Sequence, residues 1–326
     1  MADAGKLKQE NTRLLRRALR GGERFGKNEL ARLTGLSFPT VSRIVDGLVR
    51  TGEVRELGAG TSTGGRCAMQ VALDPEYRLF LCLRLETDTL HWFVSDLDGR
   101  RIEEQETACK GDTLQAISTL LTCVRARYPR LGAAAFGLSG TLKSGTVTET
   151  FGRTELRGVS LAAFLQEKLG LPAVVQRDMH AVALGHVARS KKKPRAVACI
   201  YLGPTGIGSS LALDGRVWSG ANEFAGELHY LPIKNNLEYA KTHFAGVDMV
   251  AYYLQVIRAY AALVNPDRVV LYRDALLEGK LERIRSACEK TLPPQAVPEL
   301  ILSGDFYSDY EQGLFELAAG LTEEKL

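Results

Sequence analysis

Thr40, Ser42 and Arg43 stand within four residues of one another, and Arg66 closes a run of small residues beyond them. Hydroxyls both donate and accept hydrogen bonds, and a guanidinium can make two parallel bonds to a phosphate or a guanine edge. Presented on one surface, these groups would read a nucleic acid. Arg43 suits a guanine edge or a phosphate, Thr40 and Ser42 suit phosphates or base edges, and Arg66 suits a narrow minor groove.

The elements that must carry them lie in KNELARLTGLSFPTVSRIVDGLVRTGEV, Lys27 to Val54. The pattern predicts a helix over 28–34, a turn at Gly35-Leu36-Ser37 and a second helix over 38–50, which is a helix-turn-helix. Gly35 can take the positive φ of the turn, the Ser37 hydroxyl is placed to cap the next helix, and Pro39 sits harmlessly in its first turn. Val41, Ile44, Val45 and Leu48 form one apolar stripe expected to pack on Leu30, Ala31 and Leu33. That leaves Ser37, Phe38 and Pro39 at the helix start, and Thr40, Ser42, Arg43 and Arg50 on the outer face, for contact with double-stranded DNA. An arginine-rich helix over 10–20, with Leu14, Leu15, Ala18 and Leu19 inward, completes a three-helix bundle. Between two short strands, 54–57 and 68–73, GAGTSTGGR reads as a basic wing ending in Arg66 or as an interdomain linker. Residues 1–70 hold thirteen Lys and Arg against seven Asp and Glu, whereas the remainder is slightly acidic. The basic balance thus coincides with the helix-turn-helix.

The 326 residues suffice for two or three domains. With no long apolar run and no signal-peptide pattern, the expectation is a soluble cytoplasmic protein with no membrane partner. The six cysteines are scattered, which suits reduced thiols and no bound metal. From Asp74 onward strands and helices alternate. Strands at 78–85, 90–97 and 102–108 precede a helix at 113–127, a strand at 133–138, a helix at 161–169, a strand at 173–176 and a helix at 180–188. A second unit starts at Ala196 with strands at 197–203 and 207–213. It continues with a helix at 247–264, a strand at 268–272, a helix at 275–290, a strand at 299–302 and a helix at 309–319. Three antiparallel strands followed by alternating helices and strands, occurring twice, predict an actin-like, ribonuclease H-like α/β body of two lobes with a ligand cleft between them. The expected domains are a winged helix-turn-helix over 1–73, a first lobe over 74–195 and a second over 196–326, whose C-terminal helix is free to pack back on the first lobe.

These stretches resemble the ROK family (repressor, open reading frame, kinase), whose regulators join a winged helix-turn-helix to a sugar-kinase-type body. The resemblance runs through TGLSFPTVSRIVDGLVRTGEV with its STGGR wing, GLSGTLKSGTV at 137–147, LPAVVQRDMHAVALG at 171–185, GPTGIGSSLALDGRVWSGANEFAGELH at 203–229 and VNPDRVVL at 264–271. It implies that Asp178 matches the general base of the family's kinases and that Glu227 matches a carboxylate that bonds sugar hydroxyls. Arg177 replaces the asparagine before that aspartate. It could pair with Asp178 or recruit an anionic ligand such as a sugar phosphate. Arg177, Asp178, Glu227 and His229 are therefore the expected effector-binding residues, with His180 a further cleft candidate. Each also has a structural reading: Asp178 suits a helix N-terminus, Glu227 can brace a turn, and Gly206-Ile207-Gly208 can serve a tight hairpin.

The departures from the family pattern decide the expected function. The phosphate loop of the kinases is here Leu85-Glu86-Thr87-Asp88-Thr89, without glycine and with a carboxylate that repels phosphate. Tyr272-Arg273 stand where the kinases keep paired glycines. Tyr230 replaces a zinc-ligating histidine, and residues 231–246 lack the family's cysteine cluster, so neither zinc nor any cofactor is expected. The resemblance implies a DNA-binding regulator, a repressor, that binds its operator as a homodimer or tetramer and senses a sugar or sugar-phosphate, with no catalytic residue. The alternative is an ATP-dependent sugar kinase of the family with a DNA-binding appendage, in which Asp178 is catalytic. A third reading is a constitutive DNA-binding dimer with a vestigial cleft.

Overall fold

Helix α1 (Ala2–Leu19) is followed by a short strand β1 (Phe25–Gly26), helices α2 (Lys27–Thr34) and α3 (Phe38–Thr51), and strands β2 (Val54–Ala59) and β3 (Met69–Leu73). The protein is seen here in a computed structural model that describes residues 2–19, 24–59, 69–150, 152–203, 206–233 and 247–324. Gly35 at φ +70 ends α2, and Gly52 at φ +79 ends α3 with its N–H on the Leu48 and Val49 carbonyls. Val41, Ile44, Val45 and Leu48 are buried with Leu15, Leu19, Leu30, Val54 and Val71. Burying one such side chain stabilises by about 1.5–3 kcal/mol. Strands β1, β3 and β2 pair antiparallel in that order and complete the winged helix-turn-helix. Arg16 forks onto Glu53 at 2.5 and 2.7 Å, so α1 is tied to the residue that follows the α3 cap.

Three local expectations are corrected. Leu33 does not pack on α3 but is 60% exposed. The Ser37 hydroxyl caps no amide; it lies 2.9 Å from the Thr40 hydroxyl instead. The first helix also begins earlier than expected, at Ala2.

The body is built from two five-stranded sheets of matching topology. The first contains β4 (Leu79–Glu86), β5 (Thr89–Ser95) and β6 (Arg101–Ala108) as an antiparallel meander, followed by α4 (Thr113–Arg127) and β7 (Leu131–Leu138). A hairpin of β8 (Gly140–Lys143) and β9 (Thr146–Thr150), which the sequence reading did not anticipate, precedes α5 (Leu161–Leu169), β10 (Ala173–Arg177) and α6 (Asp178–Arg189). The second sheet comprises β11 (Ala196–Gly203), β12 (Gly206–Leu213) and β13 (Arg216–Val217). Helix α7 (Met249–Leu263), β14 (Arg268–Tyr272), α8 (Leu281–Thr291), β15 (Glu299–Ser303) and α9 (Phe306–Glu324) complete it. The strand orders, β6-β5-β4-β7-β10 and β13-β12-β11-β14-β15, correspond strand for strand. In each, three antiparallel strands are extended by two parallel ones, as the repeated element order requires.

Helices α6 and α9 lie between the two sheets and share one core with both. Phe80, Cys82, Ala133 and Ala135 of the first sheet, Val197, Cys199 and Val270 of the second, and Leu314, Phe315 and Ala318 of α9 belong to it. Phe80 and Phe315 meet edge to face at 5.7 Å. The helix expected over 275–290 begins only at Leu281. The Asp274 carboxylate accepts the Leu276 and Leu277 amides at 2.7 and 3.1 Å, and Gly279 takes φ +68, so the chain turns before it coils. Among the described residues no helix is long and apolar enough to cross a membrane.

Candidate functional site

Opposite its buried stripe, α3 presents an open polar face. Ser37, Phe38, Pro39 and Arg43 are exposed, and Thr40 and Ser42 are half-buried. Arg43 makes no side-chain bond among the described residues, which leaves its guanidinium free. The face also carries a residue the sequence reading passed over. Asp46, one turn beyond Ser42, takes Lys27 Nζ at 2.5 Å on one oxygen and the Ser42 hydroxyl at 3.3 Å on the other. The Lys27 hydrogen bond holds the Asp46 carboxyl below the usual carboxylate range. The i, i+4 spacing from Ser42 was the signal available. Arg66 and most of the wing lie outside the described residues.

The second cluster forms where strands end. Arg177 is the last residue of β10, and Asp178 is the first of α6. Arg177, only 6% exposed, pairs through Nη2 with Glu227. Its Nη1 donates to the Glu223 carbonyl at 3.3 Å and the Ala225 carbonyl at 3.5 Å. The expectation that Arg177 could pair with Asp178 is thereby corrected. Glu227 is brought to it by a loop that Gly226 allows: at φ +95, with a Cβ that would stand 2.6 Å from the Ser209 carbonyl, only glycine fits. His229 Nδ1 lies 3.3 Å from the second Glu227 oxygen, so three of the expected effector residues form one chain of contacts.

Asp178 joins this group by charge and position. Its carboxylate accepts the Met179 amide at 2.7 Å and a bond from the Ser139 side chain. Burial pushes its pKa up, against those bonds and the Arg177 charge. His180 is 1% exposed, with Nδ1 3.0 Å from Gln176 Oε1. Burial, then the Arg177 charge, drive its pKa down to about 3, so it is neutral near pH 7. Glu223 and Ser139 are site residues the sequence reading missed. Glu223 holds the Ser144 amide at 3.0 Å and so connects the Glu227 loop to the β8–β9 hairpin.

The loops flanking this cluster are filled by the protein's own side chains. In the β4–β5 turn Thr87 has φ +45, and Arg153 clamps it by donating to the Thr87 carbonyl at 2.8 Å and to Asp88 at 2.6 Å. Glu86 pairs with Arg84 and accepts the Tyr307 hydroxyl at 3.3 Å. Tyr272 is buried, its hydroxyl on Asp309 at 2.6 Å and its ring edge-on to Tyr201 and Phe306. Gly208 has a packing role: a Cβ there would stand 2.8 Å from Met179 Cγ. Among the described residues no group of three or more His, Cys, Asp or Glu could hold a metal. Residues 234–246, most of the stretch expected to lack the zinc element, lie outside them.

Residues 81–243, half of the chain, match the ROK family. The chain is similar to the xylose repressor of Bacillus spizizenii, 22% identical over 244 residues that cover 72% of this chain and 64% of that protein. It is also similar to the xylose repressor of Caldicellulosiruptor bescii, 26% identical over 239 residues, 70% of this chain and 59% of that one. The chain thus matches about three fifths of the length of these curated relatives. Among solved structures, a ROK family transcriptional regulator, a homologue of the E. coli MLC protein, superposes with TM-score 0.71 at 17% identity over 98% of both chains. The ROK hexokinase of Thermus thermophilus does so with TM-score 0.60 at 18% identity, over 76% of this chain and 99% of that one. Both likenesses concern the fold.

Proposed function

Because the chain belongs to the ROK family, we propose that it is a sequence-specific DNA-binding regulator, a repressor, whose kinase-like body dimerises and senses a sugar or sugar-derived effector. Residues 1–73 are the reader, and 74–195 and 196–326 are the two lobes of the sensor. The carrying observation is the open face of α3, where Arg43 has no side-chain partner among the described residues and Ser37, Phe38, Pro39, Thr40 and Ser42 flank it in a basic N-terminal region. The wing, with Arg66, adds a minor-groove contact. In the cleft, Arg177, Asp178, Glu227 and His229 take the effector. The relatives named xylose repressors make D-xylose the first sugar to test.

Fluorescence anisotropy with duplex DNA from the promoter of its own operon tests the reading. Salt-sensitive, sequence-preferring binding supports it, since phosphate contacts release counterions. Binding indifferent to sequence and salt overturns it.

The second reading, an ATP-dependent sugar kinase, draws on Asp178, whose raised pKa suits a general base. Against it stand the Glu86 carboxylate in the β4–β5 turn and the aromatic packing of Tyr201, Tyr272 and Phe306. Release of ADP over a sugar panel, abolished by Asp178→Asn, would favour the kinase.

A further inference from the structure

Tyr310 is 2% exposed, and its hydroxyl has no hydrogen-bond partner among the described residues. A buried hydroxyl left unpaired is unfavourable by a margin few native groups sustain, so its surroundings indicate what completes it. The oxygen stands over Gly137, where a Cβ would meet it at 2.2 Å. Gly137 is in register with Gln176 of β10 and Arg84 of β4, at the carboxyl ends of three parallel strands, the position where ligands bind in open α/β sheets. The next residue but one, Ser139, bonds Asp178. The Asp178 and Glu86 carboxyls and the Arg84 guanidinium all lie near the Tyr310 hydroxyl.

Tyr310 belongs to α9, one unbroken helix of 19 residues, about 28 Å long at 1.5 Å per residue. Near this end α9 is locked to α6, the helix that starts at Asp178. A Cβ on Gly185 would stand 1.7 Å from the Asp309 carbonyl, and one on Gly313 would stand 1.8 Å from the Ala181 carbonyl. Backbones this close cannot slide independently. At its far end, Leu321 and Thr322 line a cavity of about 420 Å³ with Tyr77, Arg78 and Arg130. Arg130 lies 3.5 Å from Asp74, and Asp74 pairs with Arg55 of β2 and donates its amide to the Glu53 carbonyl at 2.8 Å. That is the joint between the helix-turn-helix and the body.

We propose that Tyr310 is a ligand-binding residue of the cleft, bonding a hydroxyl of a polyhydroxylated effector that also contacts Asp178, and that α9 carries this contact to the Asp74 joint. The inference rests on the sensing reading and names the route by which the cleft reaches the reader. Only a ligand bound unequally by two conformations can shift them. Because α6 and α9 are locked together, a sugar that bonds Tyr310 and Asp178 on this pair and Glu227 on the Gly226 loop supplies such a difference.

The test uses the full chain, labelled promoter duplex, and D-xylose with a panel of aldohexoses and their 6-phosphates as probes. Tyr310→Phe, which keeps the ring, is expected to fold as wild type and weaken binding of the active sugar about tenfold by thermal shift. Leu321→Ala is expected to bind that sugar within about twofold of wild type while the sugar loses its effect on duplex affinity. If the sugar acts on wild type and both variants respond like it, the sensing reading stands and this inference fails. If no sugar of the panel affects wild type, both fall.

Discussion

The buried guanidinium of Arg177 sits on the carboxylate of Glu227, fifty residues away in sequence, and not on that of its neighbour Asp178. Two of the expected effector residues therefore neutralise each other, and the one beside them is left with a carboxyl that burial favours protonated. Removing one partner leaves a buried charge unmatched. Glu227→Gln is expected to lower unfolding free energy by about 3–5 kcal/mol in denaturant titration. The double variant Arg177→Met with Glu227→Leu should recover most of it. Equal loss in single and double variants would refute the pairing.

His180 gives a pH signature. Its folded pKa of about 3 lies below the ordinary 6.5. The unfolded chain therefore binds the proton more readily, and stability present above pH 6.5 is lost as pH falls toward 3. At pH 5 the loss relative to pH 7 is about 2 kcal/mol. His180→Gln should remove that much of the acid sensitivity, measured by urea unfolding at the two pH values. Parallel profiles would contradict it.

Asp178 has the opposite sign. Its folded carboxyl holds a proton above the ordinary 3.8, so stability falls as pH rises from that value through the raised one. Asparagine keeps an acceptor for the Met179 amide without the charge. Asp178→Asn is expected to raise Tm at neutral pH by about 1–3 °C. A lowered Tm would mean that the ionised carboxylate is a net stabiliser.

On the reader, Arg43→Ala is expected to weaken duplex binding by about 1–3 kcal/mol and relax preference at one base pair. Uniform weakening across sequences, with a shallower salt slope, would make Arg43 a phosphate contact instead. Asp46→Asn separates the two charges on this face. Lys27 then lacks its counter-charge, and binding to non-cognate DNA should tighten, read by anisotropy at low salt.

Much of this was legible in the sequence because it is periodic. The stripe Val41, Ile44, Val45 and Leu48 has the helical repeat, and the two meanders announce themselves by alternation and turns, so the fold followed. What was illegible depended on closure in three dimensions. Arg177 had a carboxylate next to it in sequence, and only the turn at Gly226 delivers the competing one. Tyr310 reads as one more aromatic on an amphipathic helix until its hydroxyl is found unpaired over Gly137. The helix expected over 275–290 was overdrawn because the apolar pattern does not reveal Asp274 capturing two amides.

Whether the cleft informs α3 or turns over substrate is decided by one titration. Wild-type chain is bound to labelled promoter duplex, D-xylose or another sugar of the panel is added with ATP, and duplex affinity and ADP are read in the same samples. An active sugar is expected to change duplex affinity at least about fivefold, with ADP no higher than in sugar-free controls. Steady ADP release that Asp178→Asn abolishes, with duplex affinity unmoved by sugar, would contradict it.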